Sequence, residues 1–199
     1  RPAVVITIDD GYRDFATVGA PIFAEFDCPV TVFVTTEIVA RREWFWWDRI
    51  EAALLRSPRR SAVLTLGGKT WSLQLTDPAS RRRDAEAIAE ACKWVPDAER
   101  RAFTEQIGAA LDVELPATPD AMYEVMDWDE IRRLEQQGVG FGPHSRTHPI
   151  LSQVDDAAAQ DEIAGSWSTL RRECRSPVPV FCYPNGTAAS FTDRDAALV

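Results

Sequence analysis

Two carboxylates and two imidazoles carry the chemistry that this sequence offers. Asp9 and Asp10 end a short apolar run, Val4-Val5-Ile6-Thr7-Ile8, and are followed by Gly11. His144 and His148 are the chain's two histidines, four residues apart in His144-Ser145-Arg146-Thr147-His148-Pro149. That spacing lets two imidazoles converge on one ion, on a helical turn or a tight loop. Two histidines and one carboxylate leave positions open for water and substrate, the pattern of a catalytic site and not of a closed structural one. Adjacent strand residues point to opposite sides, so the two aspartates can divide the work. One could hold a metal while the other takes a proton. Each half also has a plainer reading. Asp-Gly is a common turn pair, and two histidines can be surface residues, or one a cap and the other core.

Both groups follow strand signals. Residues 4–8 predict a strand buried on both faces, as in a parallel sheet. Residues 12–26 predict a loop and helix with Phe15, Val18, Ile22, Phe23 and Phe26 as its apolar positions, split or kinked at Pro21. Val30–Thr35 is β-branched, bounded by Pro29, and predicts the next strand. Strand, helix and strand within about thirty residues make a βαβ unit. Val139-Gly140-Phe141-Gly142 predicts a further strand just before the histidines. Both chemical groups therefore fall at C-terminal strand ends, where α/β folds keep their sites. Asp127 with Glu130 is a capping-box start for a helix that stops at Gly138. Residues 155–173 predict another helix, with Ile163, Trp167 and Leu170 on one face, and residues 178–183 a fourth strand. Four β-then-α units predict a barrel of such units, cut short at the C-terminus.

Residues 41–126 break this rhythm. A helix over 43–56 carries Trp46, Trp47, Ile50, Ala53 and Leu54 at helical spacing. Its aromatic residues read as packing, with a sugar subsite as the other use. Gly67-Gly68 between alternating residues marks a hairpin. Helices follow near 78–93 and 97–111, and Arg81-Arg82-Arg83 reads as a solvated face. The stretch reads as an insertion on the sheet scaffold, not as a second independent domain.

The chain has 199 residues, 45% hydrophobic and 27% charged, enough for one domain with a substantial core. Its net charge of −9 argues against nucleic acid or an anionic membrane as partner. No apolar run reaches membrane-span length, and no signal peptide is visible. The chain starts at Arg1-Pro2 and ends within a helix signal, so both ends read as cut. Cys28, Cys92, Cys174 and Cys182 lack C-x-x-C spacing, which leaves a zinc knuckle or redox motif unsupported.

At three stretches the chain resembles the polysaccharide deacetylases, the NodB-homology carbohydrate esterases of family 4. Thr7-Ile8-Asp9-Asp10-Gly11 is similar to the family's T-F-D-D-G motif. His144-Ser145-Arg146-Thr147-His148-Pro149 matches its H-[ST]-x-x-H-P motif. Phe181-Cys182-Tyr183-Pro184-Asn185-Gly186 sits at the third motif, in the Y-P-x-G form of the bacterial branch. The resemblance implies a deformed (β/α)7-type barrel, here truncated at the C-terminus with a helical and hairpin insertion after the second strand. It implies a hydrolase of amide carbon–nitrogen bonds, not peptide bonds, that removes acetyl groups from a GlcNAc-containing glycan. By position Asp9 is the general base, and Asp10, His144 and His148 hold a divalent metal, Zn²⁺ before Co²⁺ or Ni²⁺. Tyr183, Pro184, Asn185 and Gly186 border the substrate, with a backbone N–H at Asn185's position facing the oxyanion. Such enzymes usually act on envelope or exported glycans.

Two departures follow from the comparison. The family's third motif carries an Arg that orients the base, and Cys182 stands nearest that position. A later motif supplies a His that protonates the leaving amine, and this chain has no third His. The other readings are a metal- or glycan-binding module of the same fold with weak catalysis, and a deacylase or amidase acting on a small molecule.

Overall fold

A parallel three-stranded sheet carries both chemical segments. The computed structural model describes residues 3–199. In chain order its elements are β1 (Thr7–Ile8), α1 (Ala20–Glu25), β2 (Thr31–Val34), α2 (Thr36–Arg41), α3 (Trp46–Arg56), β3 (Ser61–Leu66), β4 (Lys69–Gln74), α4 (Pro78–Cys92), α5 (Asp97–Ala110), α6 (Trp128–Gln136), β5 (Gly140–Pro143), α7 (Asp156–Glu173) and α8 (Asp193–Leu198). The chain divides into two compact units. One runs to Glu43 and resumes at Thr118; the other is Trp44–Ala117.

In the first unit the strand order is β1-β2-β5, all parallel, with Thr7 opposite Thr31 and Val34 opposite Pro143. Val32 and Val34 are fully buried, as a central parallel strand requires. Among the described residues this is an α/β fold with a parallel sheet, and a closed barrel is not seen. The predicted first strand is shortened. Val4 and Val5 are 89% and 81% exposed, because pairing with β2 begins only at Thr7. The predicted fourth strand, 178–183, runs beside β5 as irregular backbone. Val178 and Cys182 donate to the carbonyls of Phe141 and Pro143 at 2.7 and 3.0 Å. Pro179 between them has no N–H, and Val180 turns back to Val178, so a regular ladder cannot form.

The predicted kink at Pro21 is a π-helical turn, Phe15–Gly19, that leads into α1 with Pro21 in its first turn. Phe15 is buried there, whereas Val18, Ile22 and Phe26 are exposed, so the predicted apolar face is only partly used. The signals around α6 hold in detail. Asp127 Oδ1 accepts from Glu130 N at 2.8 Å, and Glu130 Oε2 accepts from Asp127 N at 3.1 Å. At the other end Gly138, with φ +95°, closes a Schellman turn: Val139 N donates to Leu134 O and Gly138 N to Glu135 O. This turn delivers the chain directly into β5 and the histidines.

The second unit has its own core. Trp46, Ile50, Ala53 and Leu54 of α3 pack with the inward residues Ala62, Leu64 and Leu66 of β3 and with Ile88 and Ile107. The Gly67-Gly68 turn joins β3 to β4 with both glycines at positive φ, as a type I′ hairpin requires. Arg81 corrects the solvated-face reading. Its guanidinium donates to the carbonyls of Leu54, Ser57, Arg59 and Leu75, tying the end of α3 to the residue that follows β4. Among the described residues no helix is long and apolar enough to cross a membrane.

Candidate active site

The end of β1 is a tight reversal. Gly11 N donates to Asp9 O at 2.9 Å around Asp10, whose φ is +72°. Thr35 N, at the end of β2, donates to Asp10 O, and Met126 N donates to Gly11 O. Gly11 itself lies at φ +88°, and a Cβ there would meet Val34 Cγ1 at 2.9 Å. Only glycine fits both demands. The reversal turns Asp10 toward the sheet's end and leaves Asp9 exposed.

The end of β5 makes the opposite wall. His144 N continues the ladder to Val34 O at 3.0 Å, and Thr36 N and Glu37 N then accept the loop by donating to Ser145 O and Arg146 O. Ser145 and His148 take φ of +64° and +58°, and Ser145 Oγ accepts from His148 N at 3.0 Å. Non-glycine residues in this region cost about 1–3 kcal/mol each and gather where geometry serves a site. Asp10, Ser145 and His148 all do so here.

These two loops bring three predicted residues together. Asp10 Oδ1 lies 3.6 Å from His144 Nε2 and 3.4 Å from His148 Nε2. All three ligand-type atoms fall within 4.8 Å of one another, and both imidazoles are buried. The separations exceed good hydrogen-bond lengths. They match what one tetrahedral ion imposes, since bonds of about 2.0–2.1 Å place neighbouring ligand atoms about 3.3 Å apart. The donor set, two imidazole nitrogens and one carboxylate oxygen, suits a divalent transition metal.

Cys182 joins this group to the third motif. His144 Nδ1 donates to Cys182 O at 2.8 Å, which directs Nε2 toward Asp10. Burial pushes the His144 pKa below its ordinary value, against the opposing pull of the Cys182 carbonyl and the Asp9 charge. The Cys182 thiol donates to Asp9 Oδ1 at 3.5 Å. Burial first, and then the nearby aspartate charges, push that thiol up to about 12, so it stays protonated and can donate. It is the group found where the resemblance implied an Arg. Asp9, His144 and Cys182 also form a second cluster of ligand-type atoms within 4.8 Å.

Beyond Cys182 the backbone turns sharply. Asn185 and Gly186 are exposed at φ +61° and +59°, and Pro184 is buried. The Tyr183 ring stacks on Phe191 at 4.4 Å between centroids and meets Phe181 edge-on, so it serves as an aromatic wall.

One residue escaped the sequence reading. Glu162 of α7 is 7% exposed and hydrogen-bonds the histidine loop. It shares its helix face with Ala159, Ile163, Ser166 and Leu170, all buried. A carboxylate on such a stripe was the available signal.

The family model for polysaccharide deacetylases matches residues 1–105 and 103–198. No curated protein sequence matches significantly. Among solved structures, the Streptococcus pyogenes deacetylase PplD in complex with acetate is 16% identical with a TM-score of 0.52, over 99% of this chain and 54% of that one. The BpsB deacetylase domain from Bordetella bronchiseptica is 15% identical with a TM-score of 0.47, over 100% and 63%. The likeness to PplD is one of fold, and this chain spans about half of that protein's length, 54%. The family match takes in the Asp9-Asp10 turn, the histidine loop and the Cys182 segment alike, and the chain belongs to the polysaccharide deacetylase family.

Proposed function

We propose that this chain is a metal-dependent deacetylase that hydrolyses N-acetyl groups on a GlcNAc-containing glycan. The observation that carries the reading is the convergence of Asp10 Oδ1, His144 Nε2 and His148 Nε2 at separations of 3.6 and 3.4 Å, suited to a shared ion. The family membership supplies the substrate class. We read residues 1–199 as one deacetylase domain whose 44–117 unit is inserted, and its parallel sheet as part of a deformed barrel.

In this reading Asp10, His144 and His148 hold the metal, with Zn²⁺ the first choice. A divalent ion held there would supply Lewis acidity toward an acetamide carbonyl and a water. Asp9 is the carboxylate placed to take a proton from the attacking water. Its exposure gives it access to the substrate side, and the Cys182 thiol fixes the orientation of Oδ1. Burial keeps His144 neutral, and the Cys182 carbonyl holds its Nδ1–H, so its Nε2 lone pair is available. The backbone N–H at Asn185 is the candidate donor to the developing oxyanion, and Tyr183, Pro184 and Gly186 border the sugar. PplD was solved with acetate, the product of such a reaction.

The test is acetate release from N-acetylated and O-acetylated oligosaccharides by Zn²⁺-loaded protein. Release from GlcNAc oligomers that Asp9→Asn abolishes is the expected result. A loaded protein that binds these oligomers and releases nothing would favour the binding-module reading.

A further inference from the structure

We infer that Glu162 is the positioning residue of the proposed metal centre, acting through the backbone of the histidine loop. The inference rests on the metal reading of Asp10, His144 and His148.

Glu162 lies on α7, sixteen residues after Arg146, and its carboxylate meets three donors from two of the residues between the histidine-loop ends. Oε2 accepts from Arg146 N at 2.7 Å and from Thr147 N at 2.8 Å. Oε1 accepts from Thr147 Oγ1 at 2.6 Å. These are short, charge-assisted contacts, stronger than neutral ones. Both oxygens are occupied, and the residue is 7% exposed. A carboxylate taken this far out of water is expensive unless its partners are fixed. Here the three donors belong to one dipeptide, Arg146-Thr147.

That dipeptide makes up two of the three residues between the imidazoles. Ser145 and His148 flank it at positive φ, and Ser145 Oγ holds His148 N. A loop with two such residues does not keep its shape by propensity. Glu162 gathers its inward-pointing N–H groups on one side. The Arg146 guanidinium pairs with Glu37 of α2 at 3.0 Å and with Asp161, the neighbour of Glu162 on α7. The loop is thereby fastened to two helices, and His148 Nε2 is presented to Asp10. Groups that orient the ligands of a metal are worth about 10–100-fold in affinity.

Glutamine at 162 keeps the shape of the side chain. It cannot accept from all three donors, because its NH2 accepts nothing. The experiment measures Zn²⁺ affinity by competition with a chromophoric chelator, and the visible spectrum of the Co²⁺-substituted protein, in wild type, Glu162→Gln, Thr147→Val and His148→Ala. Amide exchange at Arg146 and Thr147 and the urea midpoint are read on the same samples. We expect Glu162→Gln to lose about 10–100-fold in Zn²⁺ affinity, shift the Co²⁺ spectrum and speed exchange at both amides. Thr147→Val removes one contact and keeps the carboxylate, so it should lose severalfold and remain folded if Glu162→Gln does not. Glu162→Gln and Thr147→Val that bind Zn²⁺ like wild type, with an unchanged Co²⁺ spectrum, overturn the inference and leave the metal reading standing. A wild type that binds no metal, indistinguishable from His148→Ala, overturns both.

Discussion

His144 Nδ1 donates to the carbonyl oxygen of Cys182 across 2.8 Å, and this contact joins the second sequence motif to the third. It selects the tautomer whose Nε2 faces Asp10. Burial is the main reason that His144 resists protonation. The unfolded chain therefore binds more protons than the folded one below the ordinary histidine pKa of about 6.5. Stability from the neutral ring is complete above that pH and is lost as pH falls toward the lowered folded pKa. In metal-free protein the unfolding free energy from urea titration should fall between pH 7.5 and 5.5, by up to about 1.4 kcal/mol per pH unit below 6.5. His144→Asn should flatten that slope, and an equal slope in both proteins would contradict the assignment.

Asp10 and Asp9 should separate by function. Asp10→Ala and His148→Ala each remove a ligand-type atom and should weaken Zn²⁺ binding at least tenfold in a competition titration. Asp9→Asn should leave that affinity within severalfold and lower turnover by about 10²–10⁴, the usual share of a general base. Equal metal binding by all three variants would refute the division.

Gly11→Ala should destabilise the protein by about 1–3 kcal/mol in urea unfolding. The new Cβ must adopt φ +88° and meet Val34 Cγ1 at 2.9 Å. In a double-mutant cycle, Val34→Ala should cost less in the Gly11→Ala background than alone, because it removes that methyl. A gain from Gly11→Ala would show that the turn differs from this one.

The thiols of Cys92, Cys174 and Cys182 are each pushed up to about 12, chiefly by burial. At pH 8 their thiolate population is about 10³ lower than in the unfolded chain, and alkylation should slow accordingly. Mass spectrometry after iodoacetamide pulses, with and without urea, checks this site by site. The stability tied to these protonated thiols is intact below about pH 9 and is lost as pH rises toward 12. Fast native labelling of Cys182 would remove it as a protonated donor to Asp9.

Much of the scaffold was readable because its signals are local. The Asp127–Glu130 box, the Gly138 stop and the Gly67-Gly68 hairpin depend on contacts within a few residues, and all three form. The exposed Val4 and Val5 and the irregular 178–183 segment were misread for one shared reason. An apolar run records that a strand is possible, while a ladder also needs a partner in register and an N–H at each rung. β2 begins too late to pair Val4 and Val5, and Pro179 has no N–H to give.

The sequence by itself determined the reactive types: two adjacent carboxylates before a glycine, and two imidazoles four residues apart, each at a strand end. Those follow from short-range spacing. The motif resemblance already groups Asp10 with the histidines, and the tertiary structure supplies the physical reason, because the γ-turn at Asp10 and the parallel pairing of β1 with β2 aim the two aspartate side chains differently. The tertiary structure alone placed the Cys182 thiol on Asp9, 173 residues away, and Glu162 beneath the histidine loop. The α7 stripe marks Glu162 as buried but does not name its partner, and Cys182 has no such mark, since a hydrogen bond between distant segments is set by the packing of whole elements.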